Sequence, residues 1–191
     1  LKKGKIIWLN GTSSVGKSTL AKTLQERLPT PFYLLSVDTF FLIGPEKFIK
    51  SNPNQTVSTA LTGFHHAIKT FSDIGIDVIV DHVFLTDDAK DHTITRLDTM
   101  NECVSLLHDR DVLFVHVTCP LDELRRREKE RGNRQIGNAE ELLSKLCPKD
   151  TYDITVDTFN NTKEECADKI IDLLNYPNKF FAFKTLWQQR N

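Results

Sequence analysis

Eight residues near the start of the chain limit what it can fold into more than anything else in the sequence: Gly11-Thr12-Ser13-Ser14-Val15-Gly16-Lys17-Ser18. They fit the pattern GxxxxGK[ST]. An apolar run at 5–10 precedes them, and Leu20, Leu24 and Leu28 come after at helical spacing, so the pattern sits between a strand and a helix, the context a phosphate-cradling loop requires. Gly11 and Gly16 permit a tight turn and close backbone approach, so that successive amide N–H groups can point inward at phosphate oxygens. The helix start adds its positive dipole end. In this pattern Lys17 reaches the β- and γ-phosphates and the Ser18 hydroxyl ligates Mg²⁺, with Thr12, Ser13, Ser14, Val15 and Thr19 completing the expected nucleotide contacts. The guanine-reading sequence NKxD is absent, because Asn178-Lys179 runs into Phe180-Phe181, so the expected nucleotide is ATP.

The rest of the chain repeats the alternation of strand and helix. Runs rich in branched and aromatic residues at 5–10, 32–38, 77–81 and 112–118 read as buried strands, and 152–157 reads as a weaker edge strand in which Ile154 and Val156 alternate with polar residues. Helical stripes lie between them: Ala60, Phe64, Ala67, Ile68 and Phe71, then Ile94, Leu97, Val104 and Leu107. Thr162 with Glu165 is a capping-box signature ahead of Cys166, Ile170, Leu173 and Leu174, and Pro177 interrupts that helix. Strands alternating with helices imply an α/β protein with a parallel sheet. The apolar tail at 179–191 needs a place to pack, either as a last helix on its own domain or in a dimer contact.

Bulk properties remove several classes of function. The 191 residues suffice for one core and are too few for two comfortable domains, so 1–191 is expected to be a single domain. With 25 basic and 26 acidic side chains there is no basic excess to attract a nucleic acid. Cys103, Cys119, Cys147 and Cys166 are widely spaced and form no CxxC pair, which argues against a zinc site or disulfide framework and fits a reducing cytoplasm. The apolar stretch at 6–9 is too short for a signal peptide or membrane span, and the missing initiator Met is read as trimming of the natural start.

Chemistry-bearing residues outside the loop fall at strand ends and in one charged helix. Asp38 is read at the end of the second strand, where an open parallel sheet presents side chains to the ligand crevice. A carboxylate there can accept the proton of an attacking hydroxyl, and the competing reading is a helix cap. Asp81, ending the third strand, suits polarising a water on Mg²⁺, or capping the next turn. At 121–137 a charged helix stops at Gly132. Consecutive Arg125, Arg126 and Arg127 diverge around it, so Arg131 and Arg134 are the lid candidates, against the alternative of a solvated helix paired by its own glutamates. Acceptor recognition is expected within 39–66, where Phe40, Phe41, Leu42, Ile43, Phe48 and Ile49 surround Gly44-Pro45, although half of these side chains would serve equally as core. His65 and His66 read as ordinary helix residues, and His82 is left without a role.

Taken together, residues 10–18, Ser36-Val37-Asp38-Thr39, Asp81-His82-Val83-Phe84-Leu85, Arg131-Gly132-Asn133-Arg134 and Tyr152-Asp153-Ile154-Thr155-Val156-Asp157-Thr158 resemble the chloramphenicol phosphotransferases, in matching order from about Lys5 to about Leu174. The resemblance implies a P-loop fold like that of adenylate and shikimate kinases, with a five-stranded parallel sheet and ATP-dependent phosphorylation of a small alcohol. It also implies that Asp38 takes the substrate proton, in agreement with the reading from its position. One departure is Asp81-His82, where the family pattern tends to carry two adjacent acids.

The expected function is therefore ATP- and Mg²⁺-dependent transfer of the γ-phosphate to a hydroxyl of a small molecule. Asp38, Lys17, Arg131 and Arg134 are expected to be catalytic, and Ser18 with Asp81, through water, to hold the metal. A nucleoside or nucleotide kinase and an ATP-hydrolysing switch are the alternatives. A cytoplasmic monomer or homodimer is expected, with no membrane or nucleic-acid partner.

Overall fold

The computed structural model describes residues 2–51, 53–85, 99–132 and 137–189. Its centre is a five-stranded parallel sheet of β1 (Ile6–Asn10), β2 (Tyr33–Ser36), β3 (Val78–Asp81), β4 (Val112–Thr118) and β5 (Ile154–Asp157), in the order β2-β3-β1-β4-β5. All five strand expectations appear. The 32–38 run differs in two respects: it is a half-exposed edge rather than a buried strand, and it ends at Ser36. Tyr33 stands 55% exposed, because an edge strand has a neighbour on one side only.

Helices cover both faces. They are α1 (Lys17–Arg27), α2 (Val37–Leu42), α3 (Glu46–Ser51), α4 (Pro53–Asp73), α5 (Thr99–Leu107), α6 (Leu121–Arg131), α7 (Asn138–Leu143), α8 (Lys163–Leu174) and α9 (Ala182–Gln188). The strand period of two divides the core. Ile7 and Leu9 of β1 meet Leu20 and Leu24 of α1 and Cys166 and Ile170 of α8, while Ile6 and Trp8 face Phe64 and Ile68 of α4, Val104 of α5 and Phe183 of α9. The stripe residues Ile94 and Leu97 and the side chain of Phe48 lie outside the described residues. Among the described residues no helix is long and apolar enough to cross a membrane.

The apolar tail packs on its own chain. Phe180, Phe183 and Leu186 are buried, and Phe183 lies within ring contact of Trp8, Phe84 and Phe114. Asp153 holds the tail in place: one carboxylate oxygen accepts the backbone N–H groups of Phe181 (2.7 Å) and Ala182 (3.0 Å), and the other accepts that of Phe114 in β4 (2.7 Å). The capping box at Thr162 forms as the sequence suggests, with the Glu165 N–H donated to Thr162 Oγ1 and the Thr162 N–H to the Glu165 carboxylate.

The strand order positions the site. From β1 the chain moves to β2 and β3 on one side, and β4 and β5 lie on the other, so segments leaving the carboxyl ends diverge at β1 and open a crevice there.

Urea unfolding separates the two local devices. Thr162→Ala removes one cap and should cost about 1 kcal/mol, whereas Asp153→Ala frees three backbone donors and should cost roughly 2 kcal/mol or more. Equal, small losses would mean that α9 needs no such anchor.

Candidate active site

The loop from Asn10 to Lys17 is held by buried side chains before any ligand is considered. Asn10 is fully buried. Its carbonyl oxygen accepts the N–H groups of Gly11 (3.0 Å) and Phe84 (2.8 Å), and its amide nitrogen donates to the Phe84 carbonyl (3.2 Å) and the Tyr152 hydroxyl (2.9 Å). One side chain thus ties the end of β1 to the segment after β3 and to the segment before β5. Thr12 turns its hydroxyl away from the crevice onto the Ala139 carbonyl in α7 (2.6 Å), and Val15 is core.

The two motif glycines do different work. An added Cβ at Gly11 would lie 2.3 Å from the Val117 carbonyl oxygen of β4, so this glycine is required by contact with the sheet. Gly16 has φ 101°, a left-handed conformation at the entrance of α1, and an added Cβ would meet only the Thr158 side chain, at an ordinary contact distance of 3.7 Å. Ser14 also has positive φ, at 60°. Alternating handedness of this kind turns successive N–H groups into a concavity for an anion. Ser14 Oγ is buried without a hydrogen-bond partner among the described residues, an orphaned polar atom inside the loop that a bound phosphate would satisfy.

A cleft of about 520 Å³ opens above the loop, lined by Ser13, Ser14, Gly16, Lys17, Ser18 and Thr19 from the loop and α1. Gly11, Thr12 and Val15 shape the loop from behind, and the Gly11 N–H is already taken by Asn10. Lys17 is buried, and its ammonium donates to the carbonyls of Gly11 (2.8 Å) and Thr12 (2.9 Å). Ser18 Oγ donates to Asp81 Oδ2 at 2.6 Å, which brings two hard oxygen ligands to one point at the ends of β1 and β3. That donor set suits Mg²⁺, which takes one or two protein oxygens and keeps water for the rest.

Asp38 lies across this cleft. Because β2 stops at Ser36, Asp38 is not a strand residue; it sits in the first turn of α2, exposed, with Ser36 in the cap position. The lining on this side ends at Asp38, and among the described residues none of 39–66 joins it. Phe40 instead turns inward, edge-on to Phe64 at 5.0 Å, while Leu42 and Ile43 at the end of α2 are 83% and 73% exposed.

The arginines of α6 divide sharply. Arg125 pairs with Glu140 and Asp122, and Arg126 with Glu123 and Glu130, as a solvated helix would arrange them. Together Arg126 and Arg127 hold the Glu123 carboxyl down at about 2. Arg127 is built into the cleft wall, donating to Thr158 Oγ1 and Thr158 O (both 3.1 Å) beyond β5 and, at 3.4 Å, to the Val15 carbonyl of the loop. Arg131 also lines the cleft, from the last turn of α6, whereas Arg134 lies outside the described residues. The helix ends at Gly132 with φ 64°. Buried Glu128 fastens the returning chain by accepting the N–H groups of Gly137 (3.1 Å) and Ala139 (2.7 Å).

Sequence reasoning passed over several of these residues. Lys163 lines the cleft without belonging to any recognised spacing, Arg127 shares a face with Arg131 and Thr158 ends the 152–158 segment but neither was given a role, and Glu128 looked like one more surface charge. The reading of His65 as an ordinary helix residue is corrected: it is fully buried and its Nδ1 lies 2.7 Å from Glu102 Oε2. His82, which borders the cleft, is held neutral by burial, with His65 and Lys17 adding to the effect.

Comparison with known proteins places this geometry in a family. A family model described as chloramphenicol phosphotransferase-like protein matches residues 4–175, and the chain belongs to that family. An adenylyl-sulfate kinase of Clostridium acetobutylicum is 27% identical over 182 residues, covering 90% of this chain and 84% of its own length. A Mycobacterium tuberculosis protein provisionally named an O-phosphotransferase is 26% identical over 192 residues, with coverages of 88% and 81%. The structure of the Mycobacterium tuberculosis APS kinase CysC in complex with AMPPNP and APS superposes with a TM-score of 0.64 at 19% identity, over 92% of this chain and 99% of that one, which is a likeness of fold. The chain is thus a P-loop phosphotransferase of the kinase kind.

The difference between the two glycines can be measured. Gly11→Ala drives a methyl group into backbone and should cost about 3 kcal/mol, while Gly16→Ala meets only the strain of its positive φ and should cost about 1–2 kcal/mol. Chemical denaturation of both variants checks the order, and the reverse order would remove the contact with β4 as the reason for Gly11.

Proposed function

We propose that this family member transfers the γ-phosphate of ATP to a hydroxyl group of a small-molecule acceptor. The observation that carries the reading is the presence of Asp38, Lys17 and the Ser18–Asp81 pair in the wall of one cleft, with a carboxylate facing a phosphate cradle across the space where a γ-phosphate would project.

The chemistry follows from the residues. Amides of the loop and the Lys17 ammonium bind the triphosphate and hold the terminal phosphoryl group toward Asp38. Asp38 accepts the hydrogen of the acceptor hydroxyl as its oxygen bonds to Pγ and the Pγ–O bond to the β-phosphate breaks, leaving ADP and a phosphate monoester; the proton then passes from Asp38 to solvent. General-base assistance of this kind contributes roughly 10²–10⁴ in rate. Ser18 and Asp81 would hold Mg²⁺, Asp81 through water, where it would supply neutralisation of phosphate charge. Arg131, and Arg134 beyond it, would close over the transferring group as part of a lid at 121–137 while the acceptor enters from the side of 39–66, the whole chain working as one catalytic domain.

Acceptor identity separates the family members. The family description points to chloramphenicol and one relative is an adenylyl-sulfate kinase, so a panel should hold chloramphenicol, adenylyl sulfate, shikimate and a set of nucleosides. ADP release in Mg-ATP should rise with one of them, and a phosphorylated product should appear in the mass spectrum. Lys17→Ala should abolish nucleotide binding or transfer. Asp38→Asn should keep ATP affinity within about threefold and lower transfer by at least 10²-fold. Full turnover in Asp38→Asn would remove the base, and an absence of stimulation by every acceptor would favour a switch.

A further inference from the structure

Gly16 takes its positive φ to open α1, and that freedom leaves the peptide bond before it able to turn over. Rotation of a peptide plane exchanges the directions of its carbonyl and its N–H, and a glycine tolerates the change in φ that goes with it. A loop that is to hold an anion needs its N–H groups on the concave side and its carbonyls behind. The Val15–Gly16 peptide therefore needs an anchor.

That anchor comes from the far side of the sheet. Thr158 follows β5 and donates its own N–H to the Thr118 carbonyl at 3.0 Å, which ties its backbone to β4. Its hydroxyl lies 2.7 Å from the Val15 carbonyl and 3.3 Å from the Thr118 carbonyl, and a hydroxyl has one hydrogen, so the shorter contact takes it. Arg127 orients this hydroxyl. One terminal nitrogen donates to Thr158 Oγ1 at 3.1 Å and reaches the Val15 carbonyl at 3.4 Å, and the other donates to the Thr158 carbonyl at 3.1 Å. Glu123 Oε1 steadies the guanidinium by accepting from Nε at 2.8 Å. With a guanidinium N–H on its oxygen, the hydroxyl turns its hydrogen to Val15. The Thr158 side chain also flanks Gly16, its methyl carbon 3.7 Å from where a Cβ would stand. In a trans peptide the carbonyl and the N–H point in opposite directions, so a Val15 carbonyl drawn to Thr158 turns the Gly16 N–H away from that wall.

We infer that Thr158 is a positioning residue for phosphate binding: its hydroxyl, oriented by Arg127, fixes the Val15–Gly16 peptide so that the Gly16 N–H stands ready to donate to a phosphate oxygen. The inference rests on the nucleotide reading of the cleft for its ligand. It makes two segments that contribute no residue to the loop, α6 and the turn after β5, determinants of the affinity of that loop.

The test uses the full chain labelled with ¹³C at valine carbonyls and ¹⁵N at glycine. Val15-Gly16 is the one Val-Gly pair in the sequence, so a carbonyl-filtered spectrum shows the Gly16 amide alone. In the wild type this amide should exchange rapidly with water in the free protein, and saturation with Mg²⁺ and AMPPNP should shift it and slow its exchange at least tenfold. By calorimetry, Thr158→Val should bind AMPPNP with Mg²⁺ at least about fivefold more weakly than wild type. Thr158→Ser keeps the hydroxyl and should stay within about twofold, with the Gly16 resonance of the free protein displaced or doubled in the valine variant alone. A packing role for Thr158 would change stability and leave that resonance in place. A slowly exchanging Gly16 amide in the free wild type, or Thr158→Val with wild-type affinity and spectrum, would overturn the inference. The exchange measurements need no variant, so they decide the matter even if Thr158→Val fails to fold. Bound AMPPNP with an unprotected Gly16 amide defeats this inference alone, whereas no binding of AMPPNP to the wild type defeats the nucleotide reading on which it rests.

Discussion

The buried amide of Asn10 satisfies two backbone groups of Phe84, the N–H of Gly11 and the hydroxyl of Tyr152, and the geometry of the phosphate loop depends on that bracket. A loop with positive φ at Ser14 and Gly16 is not a low-energy turn in isolation. It persists because its start is pinned by Asn10, its backbone is pressed at Gly11 against the Val117 carbonyl, and its Val15 carbonyl accepts from Thr158 Oγ1 at 2.7 Å. The sheet supplies the rigidity, and the loop supplies the unusual dihedrals that aim amides at an anion. This division allows a ligand site to sit on a turn without collapsing when the ligand leaves.

Electrostatics follow the same division between fixed and available charge. The Lys17 ammonium donates to two loop carbonyls, which gives a buried cation partners. Ser18 and Asp81 are close enough to hold one another, so the oxygens that suit a metal are already together. On α6, the arginines bonded to several carboxylates are unavailable for catalysis, and Arg127 is committed to the wall by Thr158. The helix therefore contributes to the cleft through its last turns. Its first turns carry surface ion pairs on one face and anchor the helix in the core through Leu124 on the other.

Much of this was readable from residue order. The strand-loop-helix at 5–28 was legible because its glycine, lysine and serine spacing has one common physical use, and the edge strand at 152–157 was legible from alternation alone. Features set by tertiary contact were not. Asp38 moved from strand end to helix start because two residues cannot be resolved by pattern at a boundary, although either placement brings it to the same crevice. His65 looked like any polar residue on a helix, and only the approach of α5 gives it Glu102 as partner. The family pattern pointed to the departure at His82, but its burial among aromatic rings depends on α4, which sequence spacing cannot dock. Glu128 was hidden for the converse reason: a charge in a charged helix carries no sign that the chain returns to cover it.

The central claim is that the Asn10–Lys17 turn, completed by Ser18 and Asp81, binds a metal–triphosphate. Calorimetric titration of AMPPNP into the protein, once with Mg²⁺ and once with the metal chelated, tests it without reference to any acceptor. The account predicts a single saturable site with Mg²⁺ that weakens at least tenfold on chelation. No saturable binding in either condition would contradict it.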